Sequence, residues 1–122
     1  MSIVSYELKD NVGIITINNP PVNALSQAVR AGIKDAVTKA QSDESRVLLL
    51  QCAGKTFIAG ADISEFGKPP LEPSLPDTLN SLEQSQKPVV CAIHGQALGG
   101  GFEVGLACHY RLAANSAKIG LP

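Results

Sequence analysis

The 122-residue chain is 44% apolar and 17% charged, and its 10 basic and 11 acidic side chains leave a formal net charge of −1. One domain is the most this length supports, with roughly two-thirds of the unfolded surface buried. The near-neutral balance excludes a nucleic-acid footprint and a basic membrane-binding face, and the longest apolar runs, such as residues 47–50 and 89–93, are far too short to span a bilayer.

Residues 1–7 show no basic segment leading into an apolar one, so no secretory signal is expected. Residues 4–8 and 12–18 are short runs joined by Lys9-Asp10-Asn11; the second is rich in β-branched residues, and together they predict an antiparallel hairpin. Pro20 and Pro21 end the second strand. From Ser26 to about Ser42, Val29, Ile33, Val37 and Ala40 recur at helical spacing, with Ser26 as N-cap. The continuous apolar run at 46–52 predicts a strand buried on both faces. Residues 57–66 read as a turn into a short helical segment. Prolines at 69, 70, 73 and 76 make the next stretch a loop, expected to be mobile. A helix is expected over 76–86, a second buried strand over 89–93, a glycine-rich turn over 94–101, a helix over 102–108 and a strand over 110–114. This is an α/β layout of repeated strand–helix units.

Cys52, Cys91 and Cys108 are odd in number, lack CxxC spacing and sit in or beside apolar segments, so they read as buried thiols of a reducing compartment: cytoplasm, peroxisome or mitochondrial matrix. With His94 and His109 they offer no recognised zinc spacing, and no metal is expected.

Two segments share the layout of buried strand, glycine turn and helix start: residues 57–63 and 94–103. Glycine lets backbone approach a ligand closely, and a helix N-terminus presents free N–H groups. Two such groups on one oxygen would form an oxyanion hole. Rival motifs fail: Gly101-Phe102 stands where a Walker A loop needs Lys then Ser/Thr, Val104 breaks a dinucleotide fingerprint, and Ala97 replaces the serine of a nucleophile elbow. Glu103 lies three residues beyond Gly100, about 5 Å or one helical turn from an oxygen held there. Among Phe102, Val104, Leu106 and Ala107 it is either a solvated helix N-terminal charge or a buried base. A base beside an oxyanion hole serves proton abstraction next to a carbonyl, or activation of water.

Ala59-Gly60-Ala61-Asp62-Ile63 and Ala97-Leu98-Gly99-Gly100-Gly101-Phe102-Glu103 resemble the crotonase (enoyl-CoA hydratase/isomerase) family. Three further segments sharpen the resemblance, residues 19–26, 107–111 and 120–122, and together they are most similar to the hydratase end of multifunctional β-oxidation proteins. The resemblance implies a crotonase-like spiral of repeated ββα units. It implies an acyl-CoA thioester as substrate and no metal or redox cofactor. It implies Ala61 and Gly100 as the oxyanion hole, Glu103 as the first of two catalytic glutamates, and Ala59, Gly60, Asp62 and Ile63 along the CoA. The proline loop falls where the family has a variable loop near the acyl chain.

The family's second glutamate directly follows the motif read here as Gly120-Leu121-Pro122, where this chain stops. The resemblance therefore implies that residues 1–122 are the N-terminal part of a hydratase/isomerase domain. The later ββα units and the C-terminal helices, which cover the site and form trimer contacts, are then missing. The multifunctional members add a fused dehydrogenase domain. An open edge formed by strands 89–93 and 110–114 is expected. The resulting expectation is hydration of 2-trans-enoyl-CoA to 3-hydroxyacyl-CoA in fatty-acid β-oxidation. The alternatives are Δ3-Δ2-enoyl-CoA isomerisation, a non-catalytic acyl-CoA-binding fragment, and an unrelated α/β domain whose glycine loops only pack. His94, His109 and Arg111 read as structural, Asp62 also as a helix cap, and Lys55 and Lys118 as solvated lysines or contacts to CoA phosphates.

Overall fold

The hairpin forms as β1 (Val4–Lys9) and β2 (Val12–Ile17), registered from Val4 opposite Ile17 to Lys9 opposite Val12. Asp10 and Asn11 close it at φ of 51° and 67°, the doubly left-handed turn that matches strand twist and that Asp and Asn tolerate. The computed structural model describes residues 2–122.

Helix α1 (Gln27–Ala40) starts where Ser26 accepts the Val29 N–H at 3.3 Å, and it buries Val29, Ile33, Ala36, Val37 and Ala40. It carries the chain over to β3 (Val47–Cys52), parallel to β2. A second crossover through α2 (Leu75–Glu83), capped by Ser74, leads to β4 (Val89–Ile93), parallel to β3. The short β5 (Gln96–Leu98), α3 (Gly100–Ala107) and β6 (Tyr110–Ala113) follow, and β7 (Lys118–Gly120) pairs with β5 in a separate two-stranded sheet. The main sheet runs β1-β2-β3-β4-β6, antiparallel only at the first pair. Among the described residues no helix is long and apolar enough to cross a membrane.

The helices pack in sequence, α1 on α2 on α3. The core holds Ile15 and Ile17 of β2, Leu48 and Leu50 of β3, and Val89 and Cys91 of β4 together with the apolar side of α1. Along β2, β3 and β4 burial alternates, so Leu49 and Gln51 are only half-buried. This corrects the expectation that strand 46–52 is buried on both faces: a continuous apolar run does not reveal that helices cover one face alone. The expected open edge is present but narrower: β6 lies at that margin with all four residues exposed, while β4 is enclosed between β3 and β6. The stretch 94–101, expected to be a glycine-rich turn, holds a short strand in its middle: β5 forms through bonds to residues distant in sequence.

A polar cluster ties these elements together. Tyr6 of β1 and Ser45 both donate to Asp43 in the turn after α1, and Lys87 before β4 reaches Asp43 at 3.1 Å and Ser45 Oγ at 2.9 Å. Desolvation alone would raise the Asp43 carboxyl; the hydrogen bonds from Ser45 and Tyr6, with Lys87, outweigh it and hold the group below the usual carboxylate range. A carboxyl lowered by folding stabilises the chain above its unfolded value, and that contribution is lost as pH falls toward the folded value. Wild-type stability should therefore drop below about pH 4, and Asp43→Asn should flatten that drop in urea titrations run at neutral and acidic pH.

Candidate active site

The segment after β3 is threaded between two partners. On one side the Phe57 N–H donates to the His94 carbonyl at 2.7 Å, and the Leu98 N–H donates to the Ile58 carbonyl at 3.3 Å. On the other, the Leu25 N–H donates to the Gly60 carbonyl at 2.9 Å, and Leu25 bridges Ala61 in parallel. Residues 57–61 thus run beside β5 and the start of α3, while Phe57 and Ile58 are fully buried.

Helix α3 begins against this segment. Gly99 caps it at φ 56° and ψ −124°, a conformation side chains rarely adopt. Gly101 has no room for a side chain: a Cβ would lie 1.9 Å from the Ile58 carbonyl oxygen. A Cβ on Gly100 would lie 3.0 Å from Leu25 and 3.1 Å from Leu75, so these leucines flank that amide. The Glu103 N–H closes the first turn on the Gly99 carbonyl at 3.0 Å. The amides of Ala61 and Gly100 are not among the hydrogen-bonded donors of the described residues.

The other sequence candidates fall as follows. Ala59 and Gly60 are half-buried; Ala61 and Ile63 are exposed. Asp62 caps the single 3-10 turn Ile63–Glu65, accepting from the Ser64 N–H at 3.0 Å and its hydroxyl at 2.7 Å, and these bonds lower its pKa. Glu103 is exposed and makes no side-chain hydrogen bond among the described residues. A cleft of about 300 Å³ adjoins Ala61, walled by Leu25, Phe66, Leu71 and Leu75, with Arg30 and Glu65 among its lining.

The residues read as structural are so placed. His109 accepts the Val89 N–H on Nδ1 at 2.9 Å, which leaves Nε2 to donate to the Glu83 carbonyl at 3.1 Å. Arg111 meets the carbonyls of Gly105 and Cys108 at the end of α3, and His94 Nε2 bonds the Gly54 carbonyl at 2.9 Å. Lys55 and Lys118 are exposed, and the Lys118 N–H donates to the Gly95 carbonyl at 2.8 Å. All three cysteines are free and buried, and desolvation, then Cys91, pushes Cys52 up to about 12. Among the described residues no three His, Cys, Asp or Glu side chains group as metal ligands.

Two supporting residues escaped the sequence reading. Asn23, buried at φ 54°, donates to the carbonyls of Ala53 and Thr56 at 2.9 Å and accepts the Asn19 N–H at 2.7 Å. It clamps the Pro-Pro turn to the end of β3 and so sets Leu25 against Ala61. The signal was present, since Asn tolerates the left-handed region a turn needs. Arg30 is a buried charge inside an apolar helix face, and its partners come from a loop that periodicity cannot place.

The sequence and the fold are similar to those of known proteins. The family described as enoyl-CoA hydratase/isomerase matches residues 7–122. The chain is 50% identical over 119 residues to the peroxisomal bifunctional enzyme of Danio rerio, covering 96% of this chain and 17% of that protein. It is 38% identical over 130 residues to a probable enoyl-CoA hydratase of Bacillus subtilis, covering 100% of this chain and 50% of that one. The crystal structure of an enoyl-CoA hydratase/carnithine racemase from Magnetospirillum magneticum superposes at a TM-score of 0.90 with 30% identity, over all of this chain and 50% of that one. The chain thus spans half the length of the Bacillus relative and a much smaller share of the bifunctional one. Its sheet with a row of crossover helices is the N-terminal portion of the crotonase-like α/β fold. With the family pattern running from β1 to the last residue, the chain belongs to the enoyl-CoA hydratase/isomerase family.

Proposed function

We propose that this chain supplies the thioester-binding half of an enoyl-CoA hydratase site in fatty-acid β-oxidation. The Ala61 and Gly100 N–H groups receive the thioester oxygen and stabilise the enolate that forms when water adds to a 2-trans-enoyl-CoA. One such donor contributes on the order of 3 kcal/mol in comparable sites. Glu103 orients or deprotonates the water, and the product is 3-hydroxyacyl-CoA. The segment Ala59, Gly60, Asp62 and Ile63 runs along the CoA through backbone contacts. The observation that carries this reading is the pair of amides on two adjoining segments that have no acceptor among the described residues, with a carboxylate in the first turn beyond them.

Hydration also needs an acid for the α-carbon, which the family places directly after the residues matched by Gly120-Leu121-Pro122. Isomerisation of a 3-enoyl-CoA is the second reading, because one carboxylate can shuttle its proton and α3 presents one in its first turn. The relatives' names, bifunctional and peroxisomal, support a setting beside a second activity in that compartment. Neither a metal nor a redox cofactor enters the scheme.

Calorimetry with a saturated acyl-CoA, followed by product analysis with 2-enoyl- and 3-enoyl-CoA, tests the proposal. Binding with 3-hydroxyacyl-CoA as product supports hydration; conversion of the 3-enoyl substrate alone supports isomerisation. Binding without turnover means that this chain holds the thioester only. No binding overturns the site.

A further inference from the structure

The cleft beside Ala61 has an unusual outer wall. Phe66 and Leu71 line it with 67% and 52% of their surface exposed, opposite Leu25 and Leu75. The loop that follows Phe66 and carries Leu71 was expected to be mobile, yet it is tied down from beneath. Arg30, only 8% exposed, donates from Nε to the Pro73 carbonyl at 2.8 Å and from Nη1 to the Leu25 carbonyl at 2.8 Å. Its Nη2 meets Glu65 Oε1 at 3.1 Å and the Leu71 carbonyl at 3.2 Å. The other Glu65 oxygen accepts the Gln27 N–H at 2.8 Å, at the start of α1.

An ion pair between buried Arg30 and partly buried Glu65 thus joins Leu25 beside Ala61, the 3-10 turn and the later part of the loop at Leu71 and Pro73. Such pairs cost desolvation and rarely add net stability against apolar replacements. What this one secures is the position of an apolar wall left open to solvent. An apolar chain leaving a carbonyl at the Ala61 amide would cover that wall.

We propose that Arg30 and Glu65 form a specificity-determining strut that fixes the depth of the cleft and so the length of acyl chain it accepts. The inference rests on the acyl-CoA reading above. Each methylene that enters an apolar cleft raises affinity about fourfold, so affinity climbs with chain length until the fixed wall stops it.

The test is calorimetry of the chain with saturated acyl-CoA thioesters of increasing length, together with hydrogen exchange of the amides at 64–72. Wild type should show a sharp break in affinity at one length. Arg30→Met should shift or erase the break, changing the long-to-short affinity ratio by about tenfold or more, and should speed exchange in the loop. Glu65→Gln keeps size and shape while removing the pair's charge, so it serves if Arg30→Met does not fold; circular dichroism checks both. A merely structural role would weaken all lengths by one common factor, and that result, or unchanged loop exchange, overturns the strut. If wild type binds no thioester of any length, the acyl-CoA reading and the specificity role fall together. Loop exchange in the variants then still reports whether the pair holds the wall.

Discussion

Glu103→Gln should lower enoyl-CoA turnover by roughly two to four orders of magnitude while leaving acyl-CoA affinity nearly unchanged. The amide matches the carboxylate in size and can still hydrogen-bond water, but it cannot take a proton. Its place is set by backbone: the Glu103 N–H bonds the Gly99 carbonyl at 3.0 Å, so the side chain leaves the first turn of α3 one turn from the Gly100 amide. The substitution is not expected to disturb folding, because Glu103 is exposed and bonds no other described side chain. The measurement is steady-state kinetics beside calorimetric affinity, and the loss should appear in kcat with KM little changed. Near-normal turnover would remove Glu103 from the chemistry.

The parts of the fold visible in the sequence are those whose signal is local. Val29, Ile33, Val37 and Ala40 repeat at the helical period, and α1 forms around them with the Ser26 cap in place. Asp10 and Asn11 announce a hairpin turn because their side chains tolerate the positive φ observed there. What stayed hidden depends on distant partners. β5 exists because Gln96, Ala97 and Leu98 pair with Lys118, Ile119 and Gly120, and no three-residue pattern carries that information. Leu49 reads like Leu48 and Leu50 in the sequence, but only the latter two meet the core.

The site divides in the same way. Gly100 and Glu103 stood out because glycine turns before helix starts are a local motif, whereas Ala61 was implied only by the family resemblance. Their supports, Asn23 and Arg30, act through carbonyls of other segments, Ala53 and Thr56 for one and Leu25, Leu71 and Pro73 for the other. The exposure of Glu103 also lies beyond a reading of its neighbours, since Val104 beside it is fully buried while Leu106 is exposed on the same helix.

Gly101→Ala should destabilise the chain by about 3 kcal/mol or more and abolish turnover with it. The added methyl would lie 1.9 Å from the Ile58 carbonyl oxygen and 2.7 Å from its carbon, and both atoms are backbone that no rotamer change can move aside. That carbonyl already accepts the Leu98 N–H, so relief must push α3 and β5 away from residues 57–61. Gly100 is the neighbour of Gly101, and Ala61 is three residues beyond Ile58, so on the proposed reading the same displacement disturbs the oxyanion hole. Gly105→Ala in the same helix is the control. Its methyl would meet the end of the Ile93 side chain at 3.3 Å, which can yield. Replacing glycine in a helix interior also gains about 0.5–1 kcal/mol, so this variant should stay within about 1 kcal/mol of wild type. Urea midpoints for the pair read the contrast directly. A Gly101→Ala chain as stable as Gly105→Ala would mean that α3 is not held against the Ile58 carbonyl, and the paired-amide geometry would fall with that contact.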